Sequence, residues 1–241
     1  MTALDSSRAA GIHRGLSEVR TRIDAARAAA QRLDPVRLVV VTKTFPSTDV
    51  DILASLGVTD VGENRDQEAR AKRPDCAPEA RELRWHMIGQ LQRNKASSVA
   101  RWADVVESVD RPELVTALAR AAEGHDRTLE VLIQVDLDPA PRPDRGGVHP
   151  DEAVSLADTV VEHPALVLRG VMGVAPYPPE PGGPRVAFAR LRMVSNAIRA
   201  GHPRADVISA GMSGDLEEAV LEGATQVRIG GAILGPRSPV Q

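Results

Sequence analysis

The sequence predicts an α/β fold: a single (β/α)8 TIM barrel with an extra N-terminal helix, one domain over residues 1–241. Three observations carry this expectation. Eight short apolar runs alternate with amphipathic stretches, and alternating β and α elements imply a parallel sheet. The 241-residue length suits a barrel built as one domain. No G-x-G-x-x-G follows the first run, so the open doubly wound alternative lacks its usual dinucleotide fingerprint.

The first element is a helix of about Leu16–Leu33, with Leu16, Val19, Ile23, Ala26, Ala30 and Leu33 on one face. Strands are expected at Leu38–Lys43, Thr59–Gly62, Trp85–Gly89, Val105–Val109, Leu129–Leu137, Leu166–Val174, Asp206–Ala210 and Gln226–Gly230. Most are apolar on both faces, as strands of a buried parallel sheet are. Helices are expected between them, including Thr48–Leu56, Glu113–Ala122, Pro150–Glu162, Arg185–Ala200 and Leu216–Gly223. Two Pro/Gly-rich stretches, Asp138–Val148 and Ala175–Pro184, follow the fifth and sixth strands, on the barrel face where loops carry function.

Composition narrows the function classes. Only five aromatics are present (Phe45, Trp85, Trp102, Tyr177 and Phe188), so the core must be aliphatic. A net charge of −3 gives no global pull toward nucleic acid or an anionic membrane. Cys76 is the only cysteine, which excludes an intrachain disulfide and a cysteine metal cluster and fits a reducing cytoplasm. Met1–Arg20 lacks an apolar signal core, and no run approaches the ~18 apolar residues of a membrane span. Neither H-E-x-x-H nor a P-loop occurs, leaving metal and nucleotide-hydrolysis readings without support.

Lys43 ends the first strand, where α/β proteins bind ligands. Burial there disfavours the ammonium form, and a neutral amine forms Schiff bases with aldehydes. The alternative is a solvated lysine at the barrel mouth. Strand seven runs into Ser209-Ala210-Gly211-Met212-Ser213-Gly214-Asp215, and strand eight through Arg228 into Gly230-Gly231. Glycine turns after strands seven and eight often cradle phosphate, making Ser213, Gly214, Gly230 and Gly231 candidates. The bland reading is tight turns and a helix cap. Asp215 must then point away from a bound phosphate.

Arg228 shares parity with Gln226 and Gly230 and is expected to point inward. A buried guanidinium needs a partner: a pyridine nitrogen would serve, or an internal salt bridge to Asp136 or Glu63. Against a pyridine, arginine keeps its proton, leaving a poorer electron sink. Asn64 could bond a ring hydroxyl. His86 is read either as a polar neighbour of the ligand or as a hydrogen-bonded structural histidine.

Together, Val40-Val41-Thr42-Lys43, Gly62-Glu63-Asn64, Trp85-His86-Met87-Ile88-Gly89-Gln90-Leu91-Gln92, Ser108-Val109-Asp110, Arg169-Gly170-Val171-Met172, Gly211-Met212-Ser213 and Arg228-Ile229-Gly230 match a known pattern in order and spacing. Over about residues 38–237 they resemble the pyridoxal-phosphate homeostasis protein (YggS/PROSC) family, similar to the barrel domain of alanine racemase without its second, β-rich domain. The resemblance implies pyridoxal 5'-phosphate as cofactor, held as a Schiff base on Lys43. Arg228 would meet the pyridine nitrogen, and Ser213, Gly230 and Gly231 the phosphate. Asn64, His86 and Met212 complete the implied cofactor-binding set. The implied function is intracellular homeostasis of the cofactor, affecting vitamin B6 and amino-acid balance, without strong catalysis. Pyridoxal-phosphate-dependent apoenzymes are the candidate recipients, and a monomer is expected. The alternatives are a weakly active amino-acid racemase, for which Tyr177 or His86 would have to supply a second base, and a Schiff-base aldolase. Two positions depart from the family pattern: Arg65 stands where a tyrosine is common, and Gly231 where a threonine or serine would add a hydroxyl. The stretch Asp144-Arg145-Gly146-Gly147-Val148 resembles the family only loosely.

Overall fold

The alternating pattern closes on itself. In the computed structural model, which describes residues 3–140, 145–177 and 179–236, the strands form a closed parallel barrel in sequential order, β1 to β8. They are β1 (Arg37–Val41), β2 (Asp60–Glu63), β3 (Arg84–Met87), β4 (Val105–Val109), β5 (Leu129–Gln134), β6 (Leu166–Met172), β7 (Val207–Ser209) and β8 (Gln226–Ile229). β4 coincides with its expected run, and the others differ by a few residues at their ends. Closure comes from β1 pairing with both β2 and β8, which sets Val39 beside Asp60 on one side and Arg228 on the other.

The helices are α1 (Ala3–Ala29), α2 (Ser47–Ser55), α3 (Asp66–Asp75), α4 (Pro78–Arg81), α5 (Ala96–Val99), α6 (Pro112–Gly124), α7 (Ala153–Val161), α8 (Pro184–Gly201), α9 (Leu216–Leu221) and α10 (Gly231–Leu234). α1 is the expected extra helix, but it starts earlier and stops sooner than Leu16–Leu33. Ile12, Leu16, Val19, Ile23 and Ala26 form its buried face, at the 3-4 spacing of a helical stripe. Leu33 leaves that face and is 95% exposed: Gln31 takes a left-handed conformation and the chain turns away. For α3 the alternation of elements implies a helix but gives no bounds, because Asp66, Ala69 and Lys72 are its buried residues and no apolar stripe marks it.

The barrel wall is aliphatic, yet its interior carries buried Asp60, His86, Glu107, Ser209, Gln226 and Arg228. Gly170 permits one close approach in the wall. It has φ +146, and a Cβ there would stand 2.0 Å from the Val207 carbonyl oxygen across the β6–β7 ladder. No described helix is long and apolar enough to cross a membrane. Among the described residues, no cluster of histidine, cysteine and acidic side chains could hold a metal ion.

The two Pro/Gly-rich stretches follow β5 and β6, with residues 141–144 and 178 outside the described residues. The first returns to the barrel by a parallel bridge between Val135 and Val148. Arg145 ties the two stretches together: it pairs with Asp138 at 2.9 Å and donates to the Val174 and Ala175 carbonyls at 3.3 Å.

Candidate functional site

A pocket of about 400 Å³ opens at the carboxyl ends of the strands, lined by Lys43, Asn64, Met212, Ser213, Arg228, Gly230 and Gly231, among others. Seven of the eight residues expected from sequence therefore meet in one place. The eighth, His86, does not line it. Gly214, Val41, Ile88 and Val174 complete the wall.

Lys43 sits in a turn just past β1, in which the Phe45 N–H donates to the Thr42 carbonyl at 3.1 Å. Thr44, the next residue, has φ +69, a left-handed conformation uncommon for a β-branched side chain. Asn64 is brought close by Gly89: a Cβ at Gly89 would stand 2.2 Å from the Asn64 carbonyl oxygen. Arg65, the departure from the family pattern, is exposed just before α3.

The turns after β7 and β8 supply further wall, the β8 turn lying beside β1, where a Cβ at Gly230 would stand 3.0 Å from the Val41 carbonyl oxygen. Gly214 and Gly231 have no atom within 4 Å of where a Cβ would stand, so bare backbone faces open space. The Ser213 hydroxyl makes no hydrogen bond among the described residues, while the Ser213 carbonyl accepts from Arg22 at 3.0 Å. The Asp215 carboxylate is folded onto the Met212 N–H at 2.6 Å. Burial pushes the Asp215 carboxyl up, against the opposing pull of that hydrogen bond and of Arg228. Bare backbone and an unbonded hydroxyl are a donor set that fits a phosphate.

Arg228 points inward, as strand parity requires, and is 5% exposed. Its expected salt-bridge partners were Asp136 or Glu63; the structure supplies neither. Instead Nη1 donates to Ser209 Oγ at 2.6 Å, Nη2 donates to the Gly173 carbonyl at 3.0 Å, and Glu107 Oε2 lies 3.8 Å from Nη1. Burial lowers the Arg228 guanidinium below its ordinary value, with Glu107 and Asp215 opposing.

Glu107 is the hub beneath the pocket. It accepts from Ser209 Oγ at 2.6 Å, Gln226 Nε2 at 2.8 Å and His86 Nδ1 at 2.7 Å. His86 Nε2 in turn reaches Asp60 Oδ1 at 2.9 Å. Burial alone would lower the His86 imidazole, but the two carboxylates outweigh it and hold the ring above its ordinary value. Burial opposes ionisation of Glu107 and Asp60 as well, and their hydrogen bonds to His86 still leave both below the usual carboxylate range. His86 is thus a core histidine, two links removed from Arg228, which corrects its placement among the pocket residues. Sequence reasoning missed Glu107. The available signal was a lone acid in the apolar strand Val105-Val106-Glu107-Ser108-Val109.

The fold and this site define a class: a (β/α)8 barrel with a lysine after the first strand, an inward arginine on the last, and glycine turns after the final two. The family model described as alanine racemase, N-terminal domain, matches residues 16–238. The pyridoxal phosphate homeostasis protein of Mycobacterium tuberculosis is 45% identical over 240 residues, covering 92% of this chain and 91% of the relative. An unknown protein from Bifidobacterium adolescentis has a crystal structure with a TM-score of 0.89 at 32% identity, covering 97% of each chain. PipY of Synechococcus elongatus, solved with pyridoxal phosphate bound, gives a TM-score of 0.79 at 30% identity, covering 93% of this chain and all (100%) of PipY. The chain belongs to the pyridoxal phosphate homeostasis protein family, within the larger group that shares the alanine racemase barrel.

Proposed function

We propose that this protein binds pyridoxal 5'-phosphate and serves cytoplasmic homeostasis of the cofactor, with consequences for vitamin B6 and amino-acid balance. The observation that carries this reading is the convergence of Lys43, Arg228 and the glycine turns in one pocket. The name of the mycobacterial relative and the cofactor in PipY support it.

Lys43 Nζ would be the attachment point for the aldehyde carbon. The Ser213 hydroxyl and the backbone at Gly214, Gly230 and Gly231 would receive the phosphate; Gly231 contributes no hydroxyl. Arg228 would donate toward the ring nitrogen and keep its own proton, Asn64 would be the partner of the ring hydroxyl, and Met212 would be a further contact from the pocket wall. When bound, the cofactor supplies an electrophilic carbon and an electron sink. An arginine held by Ser209 and Gly173 leaves the ring nitrogen unprotonated, which weakens that sink and favours holding the cofactor over demanding chemistry.

The racemase alternative needs a second base across the cofactor. Two facts weigh against it: Tyr177 is 84% exposed, and both His86 ring nitrogens are engaged within the barrel. The same reading takes the protein as a monomer that hands the cofactor to dependent apoenzymes. A dimer mass in sedimentation would replace the first statement.

The test is an absorption spectrum before and after borohydride reduction, with peptide mapping. The expected result is a visible band that collapses on reduction and a pyridoxyl adduct on Lys43. In Lys43→Ala, covalent attachment is lost. An adduct that persists in this variant would remove Lys43 from its role, and the lack of any band after adding the cofactor would overturn the function.

A further inference from the structure

Lysine is rare in this chain: only Lys43, Lys72 and Lys95 stand among its 30 basic residues. Lys72 lies on α3, and its side chain is 7% exposed. Lysine is almost never buried unless paired. Its three N–H donors have three acceptors: Glu63 Oε1 at 2.6 Å, the Thr42 carbonyl at 2.8 Å and Glu68 Oε1 at 3.1 Å. Glu63 is fully buried and also accepts from Thr42 Oγ1 at 2.6 Å. Glu68 Oε1 further accepts the Thr44 N–H.

These contacts converge on Lys43. The Thr42 carbonyl belongs to the peptide group before Lys43, and the Thr44 N–H to the peptide group after it. Lys72 grips the first directly and the second through Glu68. Lys43 itself lies between these holds, and the left-handed Thr44 follows directly on the second; such a conformation persists only where the surroundings over-determine it. A buried ion pair is weak evidence for stability, since apolar side chains of similar volume often serve as well. Its placement around one turn suggests a positional purpose instead. A planar guanidinium would not present three donors from one tetrahedral centre, so arginine, common elsewhere in the chain, is no substitute.

We propose that Lys72 is a positioning residue: with Glu63 and Glu68 it fixes the turn that aims the Lys43 amine into the pocket. The proposal deepens the reading of Lys43 as the cofactor attachment point and rests on it.

The test uses two variants. Lys72→Met combined with Glu63→Gln removes the ammonium without leaving an unpaired buried carboxylate. Glu68→Gln changes the half-buried member alone. In cofactor-free protein, acetic anhydride labelling is mapped as the ratio of Lys43 to Lys95, with Lys95 as internal reference. In cofactor-loaded protein, the absorption band and the release rate on dilution are followed. The expected results are a Lys43 labelling ratio changed at least threefold, a shifted band and release about tenfold faster, in protein that melts close to wild type. Lys72→Arg should not restore the wild-type values. Wild-type ratio, band and release rate in folded variants would overturn the proposal. Should the double variant fail to fold, Glu68→Gln decides it. Should wild type carry no pyridoxyl adduct, the attachment reading falls, and the labelling ratio still judges the clamp.

Discussion

Arg228 is held from two sides by neutral acceptors and faced by Glu107 at 3.8 Å, so its head group is fixed before any ligand arrives. Arg228→Glu should protonate a bound pyridine ring and shift the cofactor's absorption; an unchanged spectrum would take Arg228 away from the ring nitrogen. The residues behind it give a pH signature. His86 is held above its ordinary value of 6.5, so its contribution to stability is complete below that pH and fades as pH rises through the raised value. Glu107 and Asp60 are held below 4.5 and 3.8, so their contributions are complete above those values and fade as pH falls through the lowered ones. The melting temperature should plateau between these limits and decline on both sides. His86→Gln should flatten the alkaline decline, and Glu107→Ala should cost about 3–5 kcal/mol by leaving the buried Arg228 guanidinium without its carboxylate and His86 with only Asp60. An alkaline slope unaltered in His86→Gln would show that another group titrates there. Lys43, Arg228 and the glycine turns were legible in the sequence, since each stands at a strand end. Glu107 was not, because one acid within an apolar strand does not announce what it faces.

α1 lies outside the barrel and braces the pocket from behind. Gly15 packs onto α10, where a Cβ would stand 2.8 Å from the carbonyl oxygens of Ala232 and Ile233, just beyond Gly230-Gly231. One helical stretch further on, Arg22 pairs with Glu217 at 2.6 Å and donates to the Ser213 carbonyl at 3.0 Å. The turns after β7 and β8 thus both lean on one helix. Gly15→Val should destabilise the fold by about 1–3 kcal/mol, because backbone rather than a flexible side chain must yield. Arg22→Ala should weaken pyridoxal phosphate binding several-fold and leave binding of pyridoxal, which lacks the phosphate, unchanged. Equal loss for both ligands in titrations would show that α1 does not act on phosphate binding through these turns. The apolar stripe of α1 was readable from its spacing. The bounds and inward face of α3 were not, since its inward residues Asp66 and Lys72 are charged, and charge in a helix reads as a solvated face.

At the scale of the whole molecule, the site exists because the barrel closes. Lys43 and Arg228 stand near opposite ends of the chain and meet only through the β1–β8 pairing, in which Val40 is set beside Ile229. Closure depends on Gly170, whose bare Cα admits the β7 backbone. Gly170→Ala should therefore cost several kcal/mol in urea unfolding, a size kept for a few named mechanisms, and should lose cofactor binding in parallel. Unfolding that left binding intact would separate the pocket from closure.

The sequence by itself determined the order of strands and helices, the inward parity of Arg228 and the placing of Lys43 and the glycine turns at strand ends. All of these follow from periodicity and turn chemistry within a few neighbouring residues. Tertiary structure alone decided which polar groups meet. It set His86 between Asp60 and Glu107, gave Arg228 the company of Ser209 and Gly173, and drew Lys72 under the Lys43 turn. The physical reason is that parity tells which face a side chain takes, while the stagger of strands around a closed barrel sets its height and its neighbours.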